Sequence, residues 1–150
     1  MGSSIELLFL RLIFGESDII SELKYNLNQN VMTTKELGDL GELKALQFLR
    51  KNGFQIIDTN YRFNRNEIDI IYALPGKVVF VEVKTRQTAE IGPPWKSVTR
   101  HKQRQIIKCA HQYIVSKDLD IEAQFDIISI VHNSHGTFLE HIEEAFYPRL

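Results

Sequence analysis

The chain has 150 residues, 43% hydrophobic and 25% charged, values ordinary for one globular domain that exclude the disordered and fibrous classes. Its single cysteine, Cys109, excludes an internal disulfide and suits a reducing, cytoplasmic setting. The formal net charge of −1 hides an uneven distribution: residues 84–108 carry Lys84, Arg86, Lys96, Arg100, Lys102, Arg104 and Lys108 against Glu90 alone, while the two ends are acidic. Such an island fits a polyanionic partner, nucleic acid above all; a solvated helix face explains it equally well on charge alone.

In chain order, Leu7 to Phe14 is an apolar run broken by Arg11. It has no basic lead-in and no small-residue cleavage site, and falls far short of the ~20 residues a bilayer span needs, so no membrane partner is expected. Asn26 to Asn30 reads as a polar linker, and Thr33 with Glu36 fits a capping box. Met32 stands just before that box. This suggests residues 1–31 as an N-terminal extension, with Met32 as the start of translation, and residues 32–150 as the domain.

A first helix is expected from about Thr34 to Asn52, with Leu37, Leu40, Leu43, Leu46 and Leu49 as one stripe and Gly53 as its left-handed stop. Strands are expected over Phe54–Ile57, Ile68–Leu74 and Val78–Thr85, the last two joined at Pro75-Gly76. A Gly92-Pro93-Pro94 loop precedes a second helix, about Thr99 to Ser116, with Ile106, Ile107, Ala110 and Ile114 on one face. Phe125–Val131 and Thr137–His141 close the chain as strands around a turn at Asn133–Gly136. The order αβββαββ implies an α/β domain, a mixed sheet flanked by helices.

The central hairpin carries the chemistry. An even-length loop at Pro75-Gly76 sets Asp69 across from Glu82 and Glu67 across from Lys84, on one sheet face. Two carboxylates ~5 Å apart repel by about 3 kcal/mol at an effective dielectric of 20, so a shared proton, a lysine or a divalent cation must offset them. Hard oxygen ligands suit Mg²⁺ or Mn²⁺. Lys84 is placed to steady an activated hydroxide or a phosphate oxygen. The plainer alternative is a solvated hairpin face. Glu42 shares a helix face with Ala45, Leu46 and Leu49, an odd place for a solvated acid, although a glutamate near a helix start is also favoured by the dipole.

Asn66-Glu67-Ile68-Asp69-Ile70-Ile71 followed by Val81-Glu82-Val83-Lys84-Thr85-Arg86 resembles the PD-(D/E)XK nuclease superfamily. More narrowly, the chain resembles the small bacterial YraN-like family, which is similar to archaeal Holliday-junction resolvases. The likeness extends to Gly38-Asp39-Leu40-Gly41-Glu42, Asn60-Tyr61-Arg62, Thr99-Arg100-His101-Lys102-Gln103, Phe125-Asp126, His141-Ile142 and Ala145-Phe146. It implies a restriction-endonuclease-like sheet. It also implies Asp69 and Glu82 as metal ligands, the Val83 carbonyl as a third, and Glu42 completing the shell directly or through water. Lys84 would orient the nucleophilic water. Gln103, on the inward edge of the second helix, would bond a site water or phosphate, or serve only as a helix-edge glutamine. Arg65-Asn66 departs from the glycine-rich approach frequent in such nucleases. Glu67 pairs with Lys84 as a supporting residue or simply as a salt bridge.

Other positions read as structural. His132, His135 and His141 lack zinc spacing and are expected as exposed loop histidines. Cys109 is expected as a buried thiol. Trp95 stacks a base or anchors its loop. Asp126 is assigned a sheet interaction and no catalysis. Two functions follow from the whole. One is a Mg²⁺- or Mn²⁺-dependent endonuclease acting on DNA, branched DNA included, in repair or recombination. There Arg86, Arg100, Lys102 and Arg104 would hold the backbone, and a homodimer would supply the two sites a junction needs. The other is a non-catalytic nucleic-acid-binding or adaptor module on the same fold.

Overall fold

The computed structural model describes residues 32–88 and 98–148. The Leu7–Phe14 apolar run, the N-terminal extension, and the Gly92-Pro93-Pro94 loop with Trp95 and Lys96 lie outside the described residues. The elements run α1 (Thr34–Lys51), β1 (Gln55–Phe63), β2 (Asn66–Leu74), β3 (Lys77–Arg86), α2 (Arg100–Ser116), β4 (Glu122–Asn133) and β5 (Gly136–Ile142). This is the expected αβββαββ order and a mixed sheet. The strands lie β1-β2-β3-β4-β5 across it. Only β3 and β4 pair in parallel among these neighbours. A parallel junction needs a long crossover, and α2 lies within it.

The strands outrun their sequence signals where their residues are polar. β1 reaches Phe63, well past Ile57, because an edge strand with Asp58, Thr59, Asn60 and Arg62 shows little of the apolar pattern that marks a strand. At the centre the signal is strong and the agreement close: Val78 to Val83 are all buried.

Two cores flank the sheet. On one side Ile106, Cys109, Ala110 and Tyr113 of α2 pack with Ile68, Ile71, Val78, Phe80, Phe125 and Ile127. On the other, Ala45 and Leu49 of α1 pack with Ile70, Tyr72, Val79, Val81, Ile128 and Ile130. The expected five-leucine stripe of α1 needs correction. Its buried line is Leu37, Gly41, Ala45 and Leu49, and Leu43 is 51% exposed. Steps of three residues fall 60° short of a full turn each time and wind off the face; steps of four overshoot by only 40°. Gly53, at φ +82, ends the helix as expected, with its N–H donating to Arg50 O at 3.1 Å and Phe54 N–H to Leu49 O at 3.0 Å.

Gly41 sets how closely α1 approaches β3. A Cβ added there would lie 1.6 Å from Thr85 Oγ1 and 2.8 Å from Thr85 Cβ, an overlap that something must relieve. A Cβ at Gly38, one turn earlier, would meet nothing within 4 Å. Gly41→Ala is therefore expected to destabilise by about 1–3 kcal/mol through overpacking. Gly38→Ala should stabilise by about 0.5–1 kcal/mol through helix propensity. Urea denaturation of the two variants checks the contrast, and equal effects would refute the close approach.

Candidate functional site

The β2–β3 hairpin has the expected register, from Leu74 opposite Lys77 to Ile70 opposite Val81. The paired ladder stops there, so Asp69 and Glu82 meet where the strands open rather than as a facing pair within the ladder. Asp69 fills the gap with its side chain, Oδ2 accepting from Val83 N–H at 2.6 Å. β2 changes face at this point: Ile68 and Ile71, three residues apart, both enter the α2-side core, which strict alternation forbids. Across from Asp69, β1 holds Asn60 at φ +53, between the Thr59–Ile70 and Tyr61–Ile68 pairs.

Glu82 is 2% exposed. Its Oε1 lies 2.6 Å from Lys84 Nζ, the neighbour expected from the sequence. Its Oε2 lies 3.2 Å from Lys102 Nζ, yet has no contact of hydrogen-bonding geometry. Lys102 therefore faces the buried carboxylate instead of standing with the outward cations, as the sequence reading had it. The signal was present: Lys102, Ile106, Cys109 and Tyr113 fall at helical spacing on one stripe, and the last three are the buried residues of that face. Arg100 and Arg104 are exposed on α2, and Arg86 ends β3 half-buried. The Gln103 side-chain amide donates to Val98 O at 3.0 Å, tying the helix start to the chain before it.

The acids crowd one another. Burial, then the charge of Glu82, pushes the Asp69 carboxyl up to about 7, against the pull of the Val83 N–H and Lys102. Glu42 is also raised, by burial first and then by Glu67, Asp39 and Glu82. Glu42 and Asp69 line a cleft of about 220 Å³ with Asp39, Leu43, Leu46, Thr59, Asn60 and Ile70. Asn60 bridges its rim. With the amide nitrogen turned toward the acids, Nδ2 lies 3.1 Å from both Glu42 Oε2 and Glu67 Oε1. Sequence reasoning gave Asn60 no role of its own, since a lone asparagine in a polar stretch reads as a turn residue. The β2–β3 ladder does not extend to Glu67 and Lys84; Glu67 stands opposite Arg62 of β1 and pairs with it at 3.1 Å.

A second buried acid behaves differently. Asp126 accepts from Tyr72 OH at 2.7 Å, His141 Nε2 at 2.8 Å, Gln124 Nε2 at 3.0 Å and Glu144 N–H at 3.0 Å. These four bonds hold its carboxyl below the usual range although burial alone would raise it. His141 is thus no exposed loop histidine: its side chain is 8% exposed. Alternation along a short strand gave no hint of a partner on β4. Cys109 is buried as expected, its Sγ donating toward Tyr61 O at 3.9 Å and Asn66 O at 3.8 Å.

Among the described residues, no three Asp, Glu, His or Cys side chains are arranged as a group that could hold a metal ion. The donor chemistry nevertheless fits a hard divalent cation. Two carboxylates, Asp69 and Glu82, meet in a region of excess negative charge, and Mg²⁺ takes one or two such ligands while keeping its waters.

The class so defined is an α/β domain with buried carboxylates and lysines at the open end of its central hairpin. Residues 41–130 match the uncharacterised protein family UPF0102, and the chain belongs to that family. It is 40% identical over 112 residues to a UPF0102 protein of Christiangramia forsetii, covering 75% of this chain and 94% of that one. It is 43% identical over 122 residues to a UPF0102 protein of Chlorobium chlorochromatii, covering 77% and 94%. With a UPF0102 protein of Dictyoglomus turgidum it shares 41% over 118 residues, covering 77% and 100%. No helix among the described residues is long and apolar enough to cross a membrane.

The raised Asp69 carboxyl has a pH signature. Its folded value of about 7 lies above the 3.8 of an unperturbed aspartate, so the folded state binds the proton more tightly. The stability it contributes is present below pH ~4 and lost as pH rises to about 7. Asp69→Asn keeps an acceptor for Val83 N–H and removes the charge. It should raise unfolding free energy by roughly 4 kcal/mol at pH 8 and by less than about 1 kcal/mol at pH 4, measured by urea denaturation. An equal gain at both pH values would refute the crowding of acids.

Proposed function

We propose that this protein hydrolyses phosphodiester bonds in nucleic acid, DNA foremost and branched DNA included, with Mg²⁺ or Mn²⁺ as cofactor. The observation that carries the reading is the meeting of Asp69 and Glu82 at the open end of the hairpin, with Lys84 2.6 Å from Glu82. Its chemistry agrees with the likeness to PD-(D/E)XK nucleases. Asp69 and Glu82 would hold the cation, with Glu42 reaching it directly or through water and the Val83 carbonyl beside them. When bound, a divalent cation lowers the pKa of a water and offsets charge on phosphate. Lys84 would orient that water and the phosphate oxygens. Arg100 and Arg104, outward on α2, and Arg86, at the end of β3, contribute the attraction for the backbone.

Asp69→Asn and Glu82→Gln are each expected to lower Mn²⁺-dependent cleavage of a branched-DNA panel about 100-fold or more while keeping the fold, the scale on which groups stabilising transition-state charge act. Cleavage unchanged in both variants would overturn the reading. A second reading, a nucleic-acid-binding module without turnover, draws on one observation: two lysine ammoniums already flank Glu82. Thermal unfolding in added Mn²⁺ separates the two. A catalytic site gains stability from Mn²⁺ and loses that gain in Asp69→Asn. Salt-sensitive DNA binding with no Mn²⁺ response favours the module.

A further inference from the structure

Lys102 and Lys84 hold the two oxygens of Glu82 differently. Lys84, two residues along the same strand, lies at 2.6 Å from Oε1. Lys102 comes from α2 and stands at 3.2 Å from Oε2, without hydrogen-bonding geometry. That oxygen is fully buried and has no other partner, so it is an acceptor held by charge alone. Its lysine is 31% exposed at the side chain, with a route to solvent that the carboxylate lacks. The four-carbon stem of lysine is flexible enough to move its ammonium while α2 stays packed.

We infer that Lys102 and a divalent cation compete for Glu82 Oε2, and that the ammonium displaced by the cation is the one that receives the phosphate. The inference rests on the nuclease reading above and adds an order of binding to it. A doubly charged ion beside Glu82 repels a nearby ammonium and outweighs its single charge for the same oxygen. Lys84, on the other oxygen and at shorter range, stays in place. Lys102 lies two residues from both Arg100 and Arg104, on the site-facing side of α2 rather than among the outward cations, so its freed charge is offered to a phosphate at the site itself. Cation and nucleic acid then favour each other reciprocally. Before the cation arrives, Lys102 keeps Glu82 neutralised and is withheld from phosphate.

Lys102→Met keeps most of the stem and removes the charge; Lys102→Gln is a polar second truncation, and Lys102→Arg retains the charge. Titration calorimetry with MnCl2 reads the competition without turnover. Both neutral variants are expected to bind Mn²⁺ at least about 5-fold more tightly than the wild type, at the lower end of ordinary coupling, while Lys102→Arg stays near the wild type. Fluorescence anisotropy with a labelled duplex should show Mn²⁺ strengthening wild-type binding and failing to do so in the neutral variants. Neutral variants that bind Mn²⁺ equally or more weakly, beside a wild type whose Mn²⁺ binding is lost in Glu82→Gln, would overturn this inference alone. A wild type that binds no Mn²⁺ would overturn the nuclease reading and this inference together.

Discussion

The site depends on one contact above all, a carboxylate buried between two ammonium groups. Taking an ion pair out of water costs several kcal/mol per ion even after relaxation. A buried valine or isoleucine returns only about 1.5–3 kcal/mol. Glu82 sits at 2% exposure inside a strand whose neighbours Val81 and Val83 are themselves buried. The apolar run of β3 anchors it from one side, and α2 closes over it with Lys102 from the other. Ile106, Cys109 and Tyr113 hold α2 against the sheet, and that packing places Lys102 beside the buried carboxylate.

The two acids of the central strands make an instructive contrast. Asp126 on β4 has four donors and a lowered carboxyl, the condition of a group built for stability. Its bond from the Glu144 N–H also fastens the segment after β5 to the sheet. Glu82 and Asp69, a strand or two away, are left short. One Glu82 oxygen has no hydrogen bond, and Asp69 holds a single main-chain bond against the field of other acids. Under-satisfied buried acids, of which Asp69 lines the cleft, are the condition in which a protein keeps binding capacity for something else.

Much of this was legible in the sequence, for reasons that differ by residue. The hairpin register follows from an even-length loop at Pro75-Gly76 and the period of two, and that register is what brings Asp69 and Glu82 toward one another. Lys84 followed from the same alternation. The element order followed from β-branched runs and one stripe on α2. What was not legible required contacts between distant segments. By charge Lys102 reads as a cation among cations, whereas its place on the buried stripe of α2 sends it inward. The fourfold network around Asp126 joins β2, β4, β5 and the segment beyond, and no local pattern carries such a convergence. The α1 leucines misled because spacing of three looks periodic while drifting around the helix.

Asn60 carries a consequence for the chemistry its position will accept. The backbone there is left-handed, which in practice admits glycine, asparagine and aspartate. Glycine would keep the chain's course and leave Glu42 and Glu67 without a shared donor. Aspartate would keep it too, but as a third anion pressed against two. Of the three, asparagine alone combines the tolerated conformation with two N–H groups to divide between the acids, so local geometry and local charge select the same side chain independently.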